Sequence, residues 1–329
     1  MHDDQMANGR SQTPPRISIG LPVYNGERYL EAGIRSILSQ TFTDFELIIS
    51  DNASTDRTEQ ICRTFAAGDP RVRYFRSDRN HGLAWNWNRV FALSSGEFFR
   101  WSAHDDLTDP RFLAAAVAVL DCDATVVLCY SREQFIDETG QVLRSNQVAL
   151  GRAGSIRAQD RFADLVLIDH WCLPIFGLMR ASVLRATAGY GSYVASDRVL
   201  LAELALHGRF YEIPEVLFMF RLHREQSIQA LAFHKRAAWI DPARTGRRTL
   251  PHWRFYGEYY RCLRRAPLTR NVRMICRGHL MRWWGVNWNW ARMMCDLVIA
   301  AAPRAMEPLL KYEQRIYRKQ RILSPRTGL

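Results

Sequence analysis

Short apolar runs alternate with segments of helical periodicity through the first half of the chain. The run at 45–54 does not alternate between apolar and polar positions, which indicates a strand buried on both faces. Leu30, Ile34, Ile37 and Leu38 recur at helical spacing. This alternation predicts an α/β fold with a mostly parallel, Rossmann-like sheet flanked by helices. The predicted strands are RISIGLPVYN, FELIISDNAS, VRYFRSD, EFFRWSAHDD and ATVVLCYS, and the predicted helices are GERYLEAGIRSILSQ, TDRTEQICRTFAAG, GLAWNWNRVFALSSG and PRFLAAAVAVLD.

Beyond residue 150 the pattern is less regular. Helices are predicted at 158–168 and 196–208, and a pair of strands joined by a turn at 209–223. From about 236 the composition shifts towards Arg and Trp. The predicted organisation is a disordered tail at 1–15, an α/β domain at 16–235 with halves at 16–130 and 131–235, and a basic helical region at 236–329.

The net charge of +12 belongs to the C-terminal part alone. Residues 236–329 hold 20 Lys and Arg against 5 Asp and Glu, whereas the remaining residues hold 25 against 28. Seven cysteines without a CxxC pair argue against a disulfide framework or a zinc ribbon, and for a reducing, cytoplasmic compartment. There is no apolar stretch of about 18 residues that would span a membrane, and the N-terminus lacks the apolar core of a signal peptide.

Polar side chains follow three of the predicted strands. Asn25 follows the first strand, Asp51 the second, and Asp105 with Asp106 the fourth. Ligands of open α/β sheets bind beyond the carboxyl ends of the strands, so these side chains predict one shared crevice. Adjacent carboxylates are ligands that Mg²⁺ or Mn²⁺ prefers. An Asp-Asp pair in isolation is more often part of a solvated turn, but its position after a buried strand, aligned with Asp51, favours the metal.

The segment ISIGLPVYNGERYLEAGIRSILSQTFTDFELIISDNASTD resembles the opening of the family 2 inverting glycosyltransferases, which have the GT-A fold. The resemblance continues through NHGLAWNWN, GEFFRWSAHDD, SDRVLLAELALHG and FRLHREQSI, and covers roughly residues 16 to 230. It implies a nucleotide-sugar donor, a divalent metal (Mn²⁺ or Mg²⁺) and inversion at the anomeric carbon. It also implies that 16–130 binds the nucleotide and 131–235 the acceptor.

The resemblance assigns the donor side of the site. It places Asp51 against the base, which favours UDP- or dTDP-sugars because N3 of uracil or thymine is a donor. The resemblance also places Asn80, Gly82 and Asn88 beneath the donor. Their alternative role is packing at the start of the helix. The residues implied to bind the donor are Pro22, Val23, Tyr24, Asn25, Asp51, Asn80, Gly82, Asn88 and, towards the ribose, Asp105.

The resemblance also assigns the metal. It implies that Asp106 is the direct metal ligand, with Asp105 beside it and His223 joining the metal or contacting the diphosphate. A surface histidine is the alternative for His223. Many members have an acidic residue where this chain has Ala103, and His104 is expected to be a packing or outer residue.

The resemblance matches Asp197 to the general base that takes the proton of the acceptor hydroxyl. The local sequence also allows Asp197 to be a helix N-cap, and Asp169 and Glu203 are rival carboxylates. Trp171 is expected at the pocket of a saccharide, glycolipid or lipid-linked acceptor.

The segment 281–300 is predicted to be one helix that is apolar around most of its circumference. Its tryptophans and flanking arginines suit a peripheral contact with an anionic membrane at the inner face of the cell membrane. Packing on the α/β domain or in a homo-oligomer interface is the alternative. Nucleic-acid binding through this basic region leaves the acidic crevice unexplained, so no nucleic-acid partner is expected, and a transferase fold without activity is a third hypothesis.

Overall fold

The computed structural model describes residues 14–145, 150–223, 240, 242 and 250–301. Within these ranges a nine-stranded mixed sheet is flanked by helices, which confirms the predicted α/β class. The strands are β1 (Ile17–Val23), β2 (Phe45–Asp51), β3 (Val72–Arg76), β4 (Phe98–Trp101), β5 (Leu107–Thr108), β6 (Val126–Ile136), β7 (Val142–Ser145), β8 (Leu178–Arg180) and β9 (Arg209–Arg221). The helices are α1 (Leu30–Leu38), α2 (Thr58–Gly68), α3 (Leu83–Ala92), α4 (Phe112–Cys122), α5 (Ala158–Leu167), α6 (Ala181–Arg185), α7 (Ser196–His207), α8 (Pro251–Arg265), α9 (Arg270–Trp283) and α10 (Asn289–Ala301).

The sheet runs in the order β3-β2-β1-β4-β8-β6-β9-β5, with β7 paired to β6. The first four of these strands are parallel, so their carboxyl ends lie at one edge of the sheet. Val23 at the end of β1 is in register with Asp51 at the end of β2. Every residue of β1 and β2 is buried, as expected for strands covered on both faces.

Two hydrophobic cores cover the two faces of the sheet. One core lies against α1, α2 and α4. The other includes residues of α3, α5 and α7 and extends into α8, α9 and α10. Helices lie on both faces because the crossovers are right-handed and the strand order reverses, with β2 and β3 on one side of β1 and β4 on the other.

The segment 209–223 departs from its prediction, because it forms the single strand β9 rather than a strand pair. Its register against β6 jumps from Ile213 opposite Ser131 to Val216 opposite Arg132. Pro214 and Glu215 therefore bulge out of the ladder. Proline cannot donate a ladder hydrogen bond, and a bulge accommodates it without ending the strand.

The predicted single helix at 281–300 is also wrong. Helix α9 ends at Trp283, a 3₁₀ turn spans Val286–Trp288, and α10 begins at Asn289. Asn287 and Trp288 have φ values of 50° and 58°. Left-handed residues interrupt an α-helix, and asparagine tolerates this conformation better than most residues. The amphipathic pattern of this segment is therefore divided between two helices.

Helices α8 and α9 pack on the α/β domain, whereas α10, which forms most of the segment 281–300, packs on α8. Helix α8 contacts α7, and α9 contacts α5. Arg265 of α8 donates from Nε and Nη2 to the buried carboxylate of Glu203 on α7, at 2.7 and 2.9 Å. No helix within the described ranges is long and apolar enough to cross a bilayer. Most of the predicted N-terminal tail, and the basic residues of 302–329, lie outside the described residues.

Candidate active site

The loop after β1 is held to the loop after β2. Asn25, with φ of 50°, donates its backbone N–H to Ser54 Oγ at 2.9 Å and accepts from the Thr55 N–H at 2.8 Å. Pro22 and Val23 are buried in β1, whereas Tyr24 is 42% exposed. Of these four predicted donor residues, Tyr24 therefore presents an accessible ring beside the loop.

Asp51 is fully buried at the end of β2. Its Oδ1 accepts from the Ser54 N–H, and its Oδ2 accepts from the Tyr74 hydroxyl, both at 2.8 Å. The guanidinium of Arg76 lies 3.5 Å away. Tyr74 is a neighbour of the site that the sequence did not single out, because nothing in its own segment indicates Asp51 as its partner. Each carboxylate oxygen has two acceptor positions, so these bonds leave capacity for a donor such as a base N–H.

Asn52 shapes the loop that contains Asn80 and Gly82. Its side chain donates to Asn80 Oδ1 at 2.9 Å and accepts from the His81 N–H at 3.0 Å. Gly82 has φ of 89°, and a Cβ there would lie 2.6 Å from the carbonyl oxygen of Ile240. This loop therefore requires glycine for its conformation and for its close backbone contact.

Two asparagines of α3 clamp backbone segments. Asn86, which the sequence did not single out, donates to the carbonyl oxygens of Val23 and Ser50 at 3.3 and 2.9 Å. Asn88 donates to the Tyr190 carbonyl at 2.7 Å and accepts from the Tyr190 N–H at 3.0 Å. Asn86 thus joins the ends of β1 and β2, and Asn88 joins α3 to the loop before α7. These contacts agree with the packing role considered for Asn88.

Asp105 and His223 meet at the crevice. The Nε2 of His223 lies 2.8 Å from Asp105 Oδ2, and both side chains are largely buried. Burial opposes ionisation of Asp105, but the charges of His104 and His223 outweigh it and lower its pKa. The ring of His223 also lies 4.9 Å from that of Tyr29. Two residues that were predicted to hold the metal are therefore in direct contact.

Asp106 points towards the end of β9. Its Oδ1 accepts from the Arg221 N–H at 2.9 Å, while Arg221 Nε donates to the Asp105 carbonyl at 2.8 Å. Burial and the adjacent charge of Asp105 raise the pKa of Asp106 well above its usual range. Arg100 is fully buried nearby, where burial lowers its pKa to about 10 against the opposing charge of Asp106. Arg221 and Arg100 thus supply the positive charge that two adjacent carboxylates require.

Two buried polar atoms at this crevice have the chemistry of metal ligands. Asp106 Oδ2 and His223 Nδ1 are buried and make no hydrogen bond within the part of the chain that the structure describes. Carboxylate oxygen and imidazole nitrogen are both ligands that Mn²⁺ accepts. The described residues contain no cluster of three or more His, Cys, Asp and Glu side chains around one point. A cation here would therefore take much of its coordination from a bound diphosphate, as Mg²⁺ commonly does.

Asp197 lies in the first turn of α7 rather than at its cap. The N-cap is Ala195, with φ of 64° and no side-chain capping bond. Asp197 Oδ1 accepts from the Arg198 N–H at 2.8 Å, and its charge raises the pKa of Tyr190, second to burial. The N-cap alternative for Asp197 is therefore wrong.

A family model for glycosyl transferase family 2 matches residues 18–186, about half of the chain. The chain belongs to glycosyl transferase family 2. The glycosyltransferase EpsE of Bacillus subtilis is 37% identical over 199 residues, which are 60% of this chain and 67% of EpsE. Chondroitin synthase of Escherichia coli is 27% identical over 67% of this chain and 31% of its own length. The chain spans 15–40% of the length of this synthase and of four other curated relatives.

Solved structures share the fold of this family 2 chain. TarS of S. aureus in complex with UDP has a TM-score of 0.59 at 16% identity, covering 92% of this chain and 87% of TarS. The mannosyltransferase PcManGT of Pyrobaculum calidifontis, in complex with GDP-Man and Mn²⁺, has a TM-score of 0.54 at 18% identity, covering 95% and 84%. The expected GT-A architecture is therefore confirmed.

The rival carboxylates of this family 2 domain have other surroundings. Glu203 is buried and bonded by both Nε and Nη2 of Arg265, so its charge is already compensated. Asp169 is 71% exposed and lies 3.2 Å from an Arg198 nitrogen. Trp171, predicted at the acceptor pocket, packs on Phe135 with ring centroids 5.1 Å apart.

Proposed function

We propose that the chain is an inverting glycosyltransferase that transfers a sugar from a UDP- or dTDP-sugar to a hydroxyl of a glycolipid, lipid-linked saccharide or polysaccharide. The observation that carries this proposal is the contact between His223 and Asp105 beside the buried carboxylate of Asp106. It lies at the edge where the β1, β2 and β4 strands end, which is where ligands bind in open α/β sheets.

The donor is proposed to bind between the β1 and β2 loops and the metal ligands. Asp51 accepts a hydrogen bond from N3–H of uracil or thymine, and Tyr24 presents its exposed ring to the nucleoside. Asp105 faces the ribose and the metal, while Asp106 and His223 are proposed as metal ligands. The metal, Mn²⁺ or Mg²⁺, would neutralise charge that develops on the leaving diphosphate. The complexes of TarS with UDP and UDP-GlcNAc, and of PcManGT with GDP-Man and Mn²⁺, support a nucleotide and metal site in this fold.

Asp197 is proposed as the general base. Its carboxylate takes the proton of the acceptor hydroxyl while the oxygen attacks the anomeric carbon from the face opposite the diphosphate. The bond to the diphosphate oxygen breaks, and configuration inverts. Its place in the first turn of α7 keeps the carboxylate ionised and so able to accept a proton, because the positive end of the helix dipole favours the charged form.

The basic C-terminal region and the proposed lipid-linked acceptors favour a position at an anionic membrane surface, on the cytoplasmic side. The described helices cross no bilayer by their length and composition, so this contact is proposed as peripheral. No nucleic-acid partner is proposed, because nucleic-acid binding would leave the acidic crevice unexplained.

A donor screen by thermal shift tests the proposal. UDP- and dTDP-sugars with Mn²⁺ or Mg²⁺ are expected to raise the melting temperature, and GDP-sugars to raise it less. In the matched variant Asp51→Asn, the thermal shift with UDP- and dTDP-sugars is expected to be smaller. This substitution keeps the shape of the side chain but removes an acceptor for the base. Absence of a shift with every nucleotide sugar and metal would favour a transferase fold without activity.

A further inference from the structure

Helix α10 is attached to the protein by its polar side. Asn289, Met293 and Asp296, spaced at i, i+4 and i+7, are its buried residues. The His252 backbone N–H donates to Asp296 Oδ2 at 2.7 Å, and His252 Nδ1 lies 2.9 Å from Asp296 Oδ1. Trp253 Nε1 donates to the Met293 carbonyl at 2.9 Å. A buried carboxylate with its hydrogen bonds satisfied therefore fixes the rotation of α10 against α8.

The neighbouring side of α10, about a third of a turn around the helix from the buried residues, is apolar and exposed. Trp290, Met294, Leu297 and Val298 are 39–47% exposed, and Trp288 just before the helix is 64% exposed. These five residues are named the α10 apolar face. A helix of a water-soluble domain usually has the reverse arrangement, with apolar residues inward and polar residues outward. Contiguous exposed apolar residues of this kind mark interaction surfaces.

The exposed charge on helices α9 and α10 is positive. Arg270, Arg277 and Arg282 are exposed on α9. The one acidic residue between 259 and 301 is Asp296, which is buried. The exposed charged side chains of α9 and α10 are therefore all basic.

We propose that the α10 apolar face docks in the interfacial region of a bilayer with anionic headgroups. Tryptophan is enriched at that depth, and arginines beside an interfacial helix gain from anionic lipid. A second copy of the chain would bring like charges together. If residues 302–329 covered this face instead, they would also bring like charges together, because they contain 7 Lys and Arg against 2 Asp and Glu. The inference rests on the proposed function for the membrane contact and names the surface that makes it.

Co-sedimentation of the full chain with vesicles tests the docking surface. The chain is expected to bind phosphatidylcholine vesicles that contain phosphatidylglycerol, to bind pure phosphatidylcholine more weakly, and to dissociate as salt increases. The double variant Trp290→Ser with Leu297→Ser is expected to bind at least about tenfold more weakly. Val142→Ser with Leu143→Ser removes two exposed apolar side chains from β7 and is expected to bind like the parent chain.

Four results would overturn the docking surface. The first two are equal binding of the parent chain to both vesicle types and binding of the α10 variant that equals that of the parent chain. The other two are measured without lipid: the parent chain forms a dimer that the α10 variant does not form, or hydrogen exchange in 302–329 is faster in the α10 variant than in the parent chain. The last two would identify a second copy or the chain's own C-terminus as the occupant. If the α10 variant does not fold, a fluorescence experiment replaces it. Brominated lipid is then expected to quench the tryptophan fluorescence of the parent chain, and this quenching should be lost in the double variant Trp288→Phe with Trp290→Phe. A chain that shows the UDP thermal shift but does not bind vesicles would contradict the docking surface alone. A chain that binds vesicles but shows no thermal shift with UDP-sugars would contradict the proposed donor chemistry alone.

Discussion

His223 Nε2 lies 2.8 Å from Asp105 Oδ2, although 118 positions separate the two residues in the chain. Strand β9 brings His223 to the crevice, and Arg221 on the same strand bonds the backbone and side chain of the Asp105–Asp106 pair. The same short segment therefore supplies both a proposed metal ligand and the support for two others.

His223→Ala is expected to weaken Mn²⁺ binding by at least about tenfold, because it removes an imidazole from the carboxylate pair. The measurement is the concentration of Mn²⁺ that gives half of the thermal shift with UDP-sugar. His279→Ala is the matched control, since this partly buried histidine lies on α9. Equal effects of the two variants would contradict the proposed role of His223.

Asp197→Asn is expected to retain the donor thermal shift and to lower the transfer rate about 10²–10⁴-fold, because the amide cannot accept the acceptor proton. Single-turnover transfer, once a donor is identified, measures the rate. Asp169→Asn should retain near-normal turnover, since that carboxylate is largely exposed. Near-normal turnover of Asp197→Asn would exclude Asp197 as the base.

Tyr74→Phe is expected to lower the free energy of unfolding by about 1–3 kcal/mol, because the buried Asp51 carboxylate loses a hydrogen-bond donor. Urea unfolding measures this loss. Tyr211→Phe, at a 41% exposed position on β9, is the control and should change stability little. Equal stability of Tyr74→Phe and the parent chain would show that the hydroxyl contributes no net stabilisation.

Glu46 predicts a pH dependence of stability in the acid range. Burial opposes ionisation of Glu46, but hydrogen bonds from Ser18, Arg73 and Ser95 outweigh it and place its pKa below the ordinary 4.5. The folded state thus binds the proton less readily than the unfolded state. The stabilisation is fully present above pH 4.5 and is lost as the pH falls below that value through the folded pKa.

Glu46→Gln should therefore have a lower free energy of unfolding than the parent chain above pH 4.5. Below pH 4.5 the difference between the two free energies of unfolding should become smaller. Urea unfolding across the acid range measures this difference. Glu97→Gln, at an exposed ion pair with Arg16, is the control. A difference that stays constant across this range would contradict the assignment.

The parallel strands and their polar ends were predictable because burial on both faces and helical periodicity are local properties of the sequence. The contacts that shape the site were less predictable. Asn86 and Tyr74 act on backbone or side chains from other elements, and nothing in their own segments signals those partners. The break at Asn287 escaped prediction because this residue is a single polar exception in an apolar pattern that resumes beyond it, and the left-handed backbone that ends the helix leaves no periodic trace.

The ion pair between Glu203 and Arg265 has a practical consequence for dividing the chain. A fragment that ends at residue 235 would keep the buried carboxylate of α7 and discard the guanidinium that compensates it, together with the apolar cover from α8. Leaving the buried Glu203 carboxylate without these hydrogen bonds is expected to cost about 1–3 kcal/mol, in addition to the apolar contacts that are lost. We therefore expect a fragment that ends at residue 235 to be less stable in urea unfolding than a chain that keeps the helices α8–α10.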